Sequence, residues 1–275
     1  MAGVFGAGVY RKSTDDLVLG QSSGNRRSVN STDILTVHPL SLLVFVDDTG
    51  HEALAGDHSY YGLGGFAVIK DHYDKTIHPA WLEVRRAIKG SPTAPLHGST
   101  LGQTATADDF AVIKAFFRSH QVPRFAATVS RTTTLPTDID AMIAVAETIR
   151  GHVINLVRAI PCASVALIVE SSQRADPLLR ERFNRLDLEQ GGKEISVDYC
   201  LMPKAPNEPG LEVADFIVSS AGSFARRQTA GREGFPPDFQ DVFMGKVPRR
   251  LTFFRVIDRI VGKHPDHMVY GHQLW

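Results

Sequence analysis

Two short runs of the chain consist entirely of apolar residues, and each is followed by an acidic residue. Residues 42–46 read Leu-Leu-Val-Phe-Val and precede Asp47, and residues 165–169 read Val-Ala-Leu-Ile-Val and precede Glu170. A continuous apolar run of this length is typical of a strand that is covered on both faces. The pattern therefore predicts two strands in the interior of a sheet.

The remaining apolar patterns predict further strands and helices. Residues 138–160 repeat apolar side chains at the spacing of one helix face. Thr106 and Asp109 have the spacing of a capping box, which indicates that a helix begins there. The predicted strands are residues 60–69, 125–130 and 195–202, and the predicted helices are residues 79–89, 107–119, 138–160, 175–187 and 211–226.

The order of these elements predicts an α/β fold. The first three strands have short or inserted connections, which favours an antiparallel meander, and two strand–helix–strand crossovers then add parallel strands. The strand before Asp47 becomes central, with the strand before Glu170 as its parallel neighbour. We therefore predict a ribonuclease H-like, five-stranded mixed sheet with helices on both faces and a helical insertion at residues 71–122.

Composition along the chain predicts three segments. Residues 1–40 are rich in Gly, Ser, Asn and Arg without sustained periodicity, and we interpret them as a partly irregular N-terminal arm. Residues 41–227 form the predicted ribonuclease H-like domain. Residues 228–275, which contain several prolines, are predicted to be a C-terminal extension that packs on this domain.

Charge and composition narrow the function classes. The 275 residues contain equal numbers of basic and acidic side chains, which argues against a protein that coats polyanions but leaves room for a local basic patch. No apolar run approaches the roughly 20 residues of a membrane span, and no secretory signal precedes the domain. We expect a cytoplasmic protein without membrane contact. The tail aromatics Phe253, Phe254 and Trp275 would allow a homo-oligomer.

Three acidic residues are the strongest candidates for chemistry. Asp47 and Glu170 are predicted to lie side by side at the carboxyl edge of the sheet, where open α/β sheets bind ligands. Asp215 interrupts an otherwise apolar helix, although burying a carboxylate is costly. The alternatives are a turn cap for Asp47 and a salt bridge to an arginine for Asp215. If the three carboxylates converge on one site, a functional role is favoured over these structural alternatives.

Other residues near these three are secondary candidates. Asp48 follows Asp47 and could instead satisfy donors in a turn. Glu212 lies one helical turn before Asp215 and could be a fourth ligand, a residue that orients the ligands, or a favourable charge in the first turn. Arg226 and Arg227 follow the same helix and could contact phosphates of nucleic acid, or form a solvated face.

Four segments resemble domain-of-unknown-function family 3800. Residues 45–50, Phe-Val-Asp-Asp-Thr-Gly, resemble its strand with an Asp-Glu-Ser-Gly opening, and residues 60–68 resemble its second strand. Residues 96–99, Leu-His-Gly-Ser, resemble its short segment with His or Lys before x-Ser. Residues 210–217 resemble its closing Leu-Gln-x-Ala-Asp-x-x-Ala helix. The resemblance covers residues 41–227.

This resemblance implies a ribonuclease H-like fold, a nuclease-type activity that depends on metal, and an acidic site at the three carboxylates named above. Pro95 stands where the family often has a further acidic residue, so that carboxylate is missing. His97 remains and could bind metal, protonate a leaving group, or form hydrogen bonds in a loop. The ribonuclease H pattern also places a Glu on the first core helix, and Glu147 is the candidate here.

The combined prediction is metal-dependent hydrolysis of phosphodiester bonds in a nucleic acid or nucleotide. Mg²⁺ and Mn²⁺ prefer oxygen ligands, and two such ions can activate water and stabilise the leaving oxygen. Asp47 would bridge the ions, with Glu170 and Asp215 on either side. A catalytically degenerate interaction or regulatory protein is one alternative, favoured by Pro95. A hydrolase of a nucleotide-derived small molecule, with the insertion as its lid, is another.

Overall fold

The computed structural model describes residues 37–54, 59–134, 137–172, 174–184, 186–203, 207–245, 251–261 and 268–273. The predicted N-terminal arm therefore lies almost entirely outside the described residues, as does Trp275.

Every predicted strand and helix has a counterpart in the structure. The strands are β1 (Leu42–Gly50), β2 (Tyr60–Ile69), β3 (Arg124–Thr134), β4 (Val165–Glu170), β5 (Leu188–Gln190), β6 (Lys193–Ile195), β7 (Val197–Met202), β8 (Thr252–Val261) and β9 (Met268–Gln273). The helices are α1 (Lys70–His72), α2 (His78–Lys89), α3 (Gly98–Thr104), α4 (Ala107–Ser119), α5 (Asp138–Ala159), α6 (Asp176–Asn184) and α7 (Pro209–Thr229). Two π-helical turns complete the described elements, at Tyr73–Ile77 and Phe239–Met244.

The main sheet is mixed and has the strand order β7–β4–β1–β2–β3–β8–β9 among the described residues. β1, β2 and β3 are antiparallel neighbours, whereas β4 runs parallel to β1 and β7 runs parallel to β4. The mixed sheet with helices is thus confirmed. The predicted count of five strands is wrong, because this sheet has seven strands.

The two additional strands come from the C-terminal segment. β8 pairs in parallel with β3, and β9 pairs antiparallel with β8. Phe254 of β8 packs into the core on one face of the sheet, while Phe253 and Ile257 pack on the other. The prediction of exposed tail aromatics is wrong for these two phenylalanines, since Phe253 is 9% exposed and Phe254 is fully buried. They give no support to a homo-oligomer.

Helices cover both faces of the sheet. Helix α5 packs on one face, where Ile149, Val153 and Leu156 join the apolar side chains of the strands in one core cluster. Helix α7 and the inserted helices α2, α3 and α4 pack on the other face, around a second core cluster. The sequence signals at the helix starts are also found: Thr106 and Asp109 form the predicted capping box of α4.

Helix α7 lies unusually close to strands β1 and β2 because two of its residues are glycines. A Cβ atom at Gly210 would lie 2.4 Å from the ring of Phe45, and one at Gly222 would lie 2.6 Å from Oγ1 of Thr49. Any side chain at either position would push the helix away from the sheet. The glycines therefore fix the distance between α7 and the end of β1 that carries the acidic residues.

No helix among the described residues has the length and the apolar character that crossing a membrane requires. The segment limits proposed from the sequence, at residues 40 and 227, stay predictions.

Candidate metal centre

The pairing of β1 with β4 places two carboxylates next to each other. The parallel register runs to Val46 opposite Val169, and the residues that follow are Asp47 and Glu170. Side chains alternate between the faces of a strand. Because Phe45 belongs to the core cluster on the α7 side, Asp47 points to that side as well. Ile168 places Glu170 on the same side for the same reason.

Strand β1 does not end at Asp47, although the sequence indicated that it would. Residues 47–50 continue the antiparallel pairing with β2, as far as Gly50 opposite Tyr61. It is the pairing with β4 that stops before Asp47. The acidic residues thus lie where β1 no longer pairs with β4, while pairing with β2 still holds the backbone of β1 in place.

Asp47, Asp48 and Glu170 form a tight carboxylate group that could hold a metal ion. One oxygen from each side chain lies within 4.8 Å of the other two. Asp47 is 3% exposed, and its Oδ1 accepts a hydrogen bond of 2.7 Å from the backbone N–H of Asp48. Asp48, a secondary candidate in the sequence, is therefore part of this group.

Asp215 reaches the same group from helix α7. Its Oδ2 accepts a hydrogen bond of 2.8 Å from the backbone N–H of Gly98, and its Oδ1 accepts one of 2.9 Å from the hydroxyl of Ser219. Its negative charge raises the pKa of Asp47, which indicates that the two carboxylates are near each other. Asp215 thus joins α7, the start of α3 and the sheet edge at one place.

Burial is the main reason that the pKa of Asp47 lies well above its ordinary value. The charges of Asp215, Glu170 and Asp48 raise this pKa further, as does a hydrogen bond with Glu170. Like charges that share a buried site disfavour each other's ionised forms. The electrostatic potential at Asp47 is therefore strongly negative, which is the condition that favours a bound cation.

A small cavity adjoins the group and is lined by His97, Glu170 and Asp215. Its volume is about 20 Å³, enough for about one water molecule. His97 immediately precedes α3, so the segment with the sequence Leu-His-Gly-Ser does lie at the acidic site. The other lining residues are Asn207, Glu208, Leu211 and Glu212.

Glu212 lies in a buried ion pair. Its Oε1 is 2.7 Å from Nη2 of Arg85 in helix α2, and both side chains are 5% exposed. Nε1 of Trp81 donates a hydrogen bond of 2.7 Å to Oε2, and the backbone N–H of Leu96 donates one of 3.2 Å to Oε1. Of the roles left open by the sequence, the contacts favour a residue that positions its neighbours. The pair ties the helical insertion to α7.

The remaining candidates lie away from the acidic group. Glu147 forms ion pairs with Arg150 at 2.9 Å and Arg182 at 3.4 Å, on the helix that covers the opposite face. Arg226 is exposed in the last turn of α7, and Arg227 beside it donates a hydrogen bond of 3.0 Å to the backbone oxygen of Glu233. Both arginines lie at the end of α7 that is remote from Asp215.

The sequence did not reveal the partners of Glu212. Trp81 and Arg85 are four residues apart on the buried side of α2, a spacing that indicates one helix face. Nothing in that spacing indicates a carboxylate more than a hundred residues further along the chain.

No family model matches this chain, and comparisons with curated proteins and with solved structures find no match either. The resemblance to domain-of-unknown-function family 3800 stays a prediction.

Proposed function

We propose that the protein is a metal-dependent phosphodiesterase of the nuclease type, built on a ribonuclease H-like sheet. The observation that carries the proposal is the group of Asp47, Asp48 and Glu170, whose carboxylate oxygens lie within 4.8 Å of one another. Asp215 is near enough for its charge to raise the pKa of Asp47. The strand order β7–β4–β1–β2–β3, a meander extended by two parallel strands, supports the proposed fold type.

The side chains of this group fit Mg²⁺ or Mn²⁺. The three grouped residues offer only carboxylate oxygens, the ligands that these hard ions prefer. Burial and then the neighbouring negative charges raise the pKa of Asp47, and a divalent ion would relieve the repulsion between these charges. Asp47, Glu170 and Asp215 would hold the ions, with Asp47 as the shared ligand.

Divalent ions at such a group activate a water molecule and stabilise charge on the leaving oxygen. The chain's own contribution is to hold the carboxylates in place before substrate arrives. The backbones of β1 and β4 fix Asp47 and Glu170, and hydrogen bonds from Gly98 and Ser219 fix Asp215. Fixed ligands reduce the reorganisation needed in the transition state. His97, which lines the adjoining cavity, is positioned to donate a proton to the leaving group.

A binding role without catalysis is the second candidate function. Pro95 contributes no carboxylate, and Glu212 is held by Arg85, so neither adds a ligand from the insertion side. A site with fewer ligands could bind a metal ion and still turn over no substrate.

Hydrolysis assays test the proposal. The substrates are single- and double-stranded DNA and RNA, nucleotides and a simple phosphodiester, each with Mg²⁺, Mn²⁺ or EDTA. Asp47→Asn, Glu170→Gln and Asp215→Asn should each lower turnover by about 100-fold or more. Glu147→Gln is the matched control, since Glu147 is a partly buried carboxylate in ion pairs on the opposite face.

Turnover that survives both Asp47→Asn and Asp215→Asn would contradict the proposed chemistry. Calorimetric binding of Mn²⁺ with no turnover of any substrate would support the second candidate. Turnover of nucleotides alone would restrict the activity to small molecules.

A further inference from the structure

A groove runs along helix α7 and begins beside Asp215. Its volume is about 760 Å³, and it is bounded by α3, α4, α7 and residues 236–242. Gly98 and Ser219 line its near end, and these are the two residues that donate hydrogen bonds to Asp215. We call this feature the α7 groove.

The far end of the α7 groove is positively charged. Arg226, Arg227 and Arg232 line it, and none of them forms an ion pair with another residue in the described ranges. Lys114 also lines the groove and is 3.3 Å from Asp241. A single carboxylate, that of Asp238, is among the lining side chains. The groove therefore leads from the two residues that hold Asp215 to a cluster of arginines.

The lining of the groove also includes apolar side chains. Phe110 of α4 is partly exposed, whereas the other apolar lining residues, Ile113, Phe216 and Val242, are buried. An aromatic side chain in a basic groove can stack on the face of a nucleic acid base. In a duplex the base faces are already stacked on each other, so this contact favours an unpaired strand.

We propose that the α7 groove binds a single strand of DNA or RNA and leads it from the metal centre towards Arg226 and Arg227. The proposal rests on the proposed function, which places the scissile phosphate at the acidic group. Small side chains at Gly98, Gly102 and Ser219 leave the strand room beside the helix.

The distance along α7 favours a strand over a mononucleotide. Asp215 and Arg226 are eleven residues apart on a helix that rises 1.5 Å per residue, so the separation is about 17 Å. A stacked strand carries one phosphate about every 3.4 Å along its axis. The groove therefore accommodates about five nucleotides, and a single nucleotide at the metal centre would not reach Arg226.

The arginines also have a purely structural explanation, and the experiment must distinguish it from strand binding. Basic residues in the last turn of a helix interact favourably with its dipole. Arg226 and Arg227 occupy that turn of α7, and Arg158 occupies the same turn of α5 on the opposite face. Arg158 is exposed like Arg226, so Arg158→Ala is a matched control for the loss of a helix-end arginine.

The test measures binding in EDTA, where metal-dependent cleavage does not interfere. Fluorescence anisotropy with labelled single strands of about three, six and twelve nucleotides should show affinity rising up to about six and then levelling. Arg226→Ala should weaken binding and reduce the salt slope by about 0.7, whereas Arg158→Ala should change neither. Phe110→Ala should weaken single-strand binding about tenfold. Separate DNA and RNA strands show which polymer the groove prefers.

Thermal unfolding of each variant identifies effects on the fold. A weakened Arg226→Ala variant that unfolds like wild type supports the proposal. Equal losses of affinity in Arg226→Ala and Arg158→Ala, equal affinity for duplex and single strand, or absence of binding to any strand would each overturn it. Because these measurements need no metal, a failure here is distinct from a failure of hydrolysis in the wild-type protein.

Discussion

Helix α7 carries two acidic side chains one turn apart, of which Glu212 is buried and Asp215 is half-buried, and their surroundings are opposite. Glu212 faces Arg85, whose guanidinium lies 2.7 Å away, with Trp81 and the Leu96 backbone as further donors. Asp215 lies near Asp47, whose pKa is raised by burial and by the charges of its acidic neighbours. One region brings opposite charges together, and the other concentrates like charges.

This difference separates a structural role from a chemical one. A buried ion pair is nearly neutral as a unit, and its value lies in holding two elements in one arrangement. A cluster of buried carboxylates costs free energy of folding, which a protein recovers when a cation binds. These two acids lie one turn apart on the same helix but differ in their partners. Substitutions at the two positions should therefore affect stability and metal binding differently.

Breaking the ion pair should have the largest effect on stability. Arg85→Ala leaves the buried Glu212 without its cationic partner, and the free energy of unfolding should fall by about 3–5 kcal/mol. Arg86→Ala is the control, because Arg86 forms an exposed pair with Glu83 and should cost less than about 1 kcal/mol. Urea denaturation measures both. Similar losses for the two variants would show that the buried pair does not anchor the insertion.

Metal binding should stabilise the folded protein through the acidic group alone. At about 100 times the dissociation constant, Mn²⁺ should raise the free energy of unfolding by about 2.7 kcal/mol, because only the folded chain assembles the site. Asp47→Asn should remove this increase. Glu212→Gln should retain it, although its starting stability is lower. An unchanged increase in Asp47→Asn would mean that the ion binds elsewhere.

Moving helix α7 should disturb both regions at once. Gly222→Ala places a Cβ atom against Thr49, and overpacking of this kind costs about 1–3 kcal/mol. The same displacement should weaken Mn²⁺ binding, measured by calorimetry, because Asp215 moves with the helix. Gly151→Ala in α5 is the control. A Cβ atom there meets no other atom within 4 Å, and the substitution should stabilise the helix by about 0.5–1 kcal/mol.

The smallest effect should be a gain in stability. Asp47→Asn removes one charge from the acidic cluster, and in EDTA at neutral pH it should raise the free energy of unfolding by about 1 kcal/mol, opposite in sign to most substitutions. Because the pKa of Asp47 is raised in the folded state, its contribution to wild-type stability is complete at low pH and is lost as the pH rises through that pKa.

The difference between Asp47→Asn and wild type should therefore grow from acid to neutral pH in denaturation experiments. If the difference in free energy of unfolding stays constant across that pH range, the effect of Asp47→Asn does not come from removing the charge of Asp47.

The sequence predicted the central sheet and the two neighbouring carboxylates, Asp47 and Glu170, because that information is local. The apolar runs before Asp47 and Glu170 define two strands, and pairing rules for crossovers make the strands neighbours. Asp215 was predictable for a related reason, since an acid stands out on an apolar helix face.

Other features depend on contacts between distant residues. Arg85 and Glu212 are 127 positions apart, and neither segment indicates the other. Strand β8 was missed because its flanking prolines suggested a surface extension. The role of its apolar residues becomes apparent only when β8 is seen to pair with β3. The need for glycine at the two positions where α7 approaches the sheet is apparent only when Phe45 and Thr49 are known to face them.

The pairing of β8 with β3 has a practical consequence for dividing the chain. A fragment that stops at residue 227 would remove β8 and leave the backbone donors and acceptors of β3 unpaired along that edge. It would also uncover the core surface on which Phe254 packs. Exposed strand edges beside apolar surface promote self-association. Residues 228–273 should therefore be kept in any expressed fragment. They cover the β3 edge of the same sheet that carries the acidic group on β1 and β4.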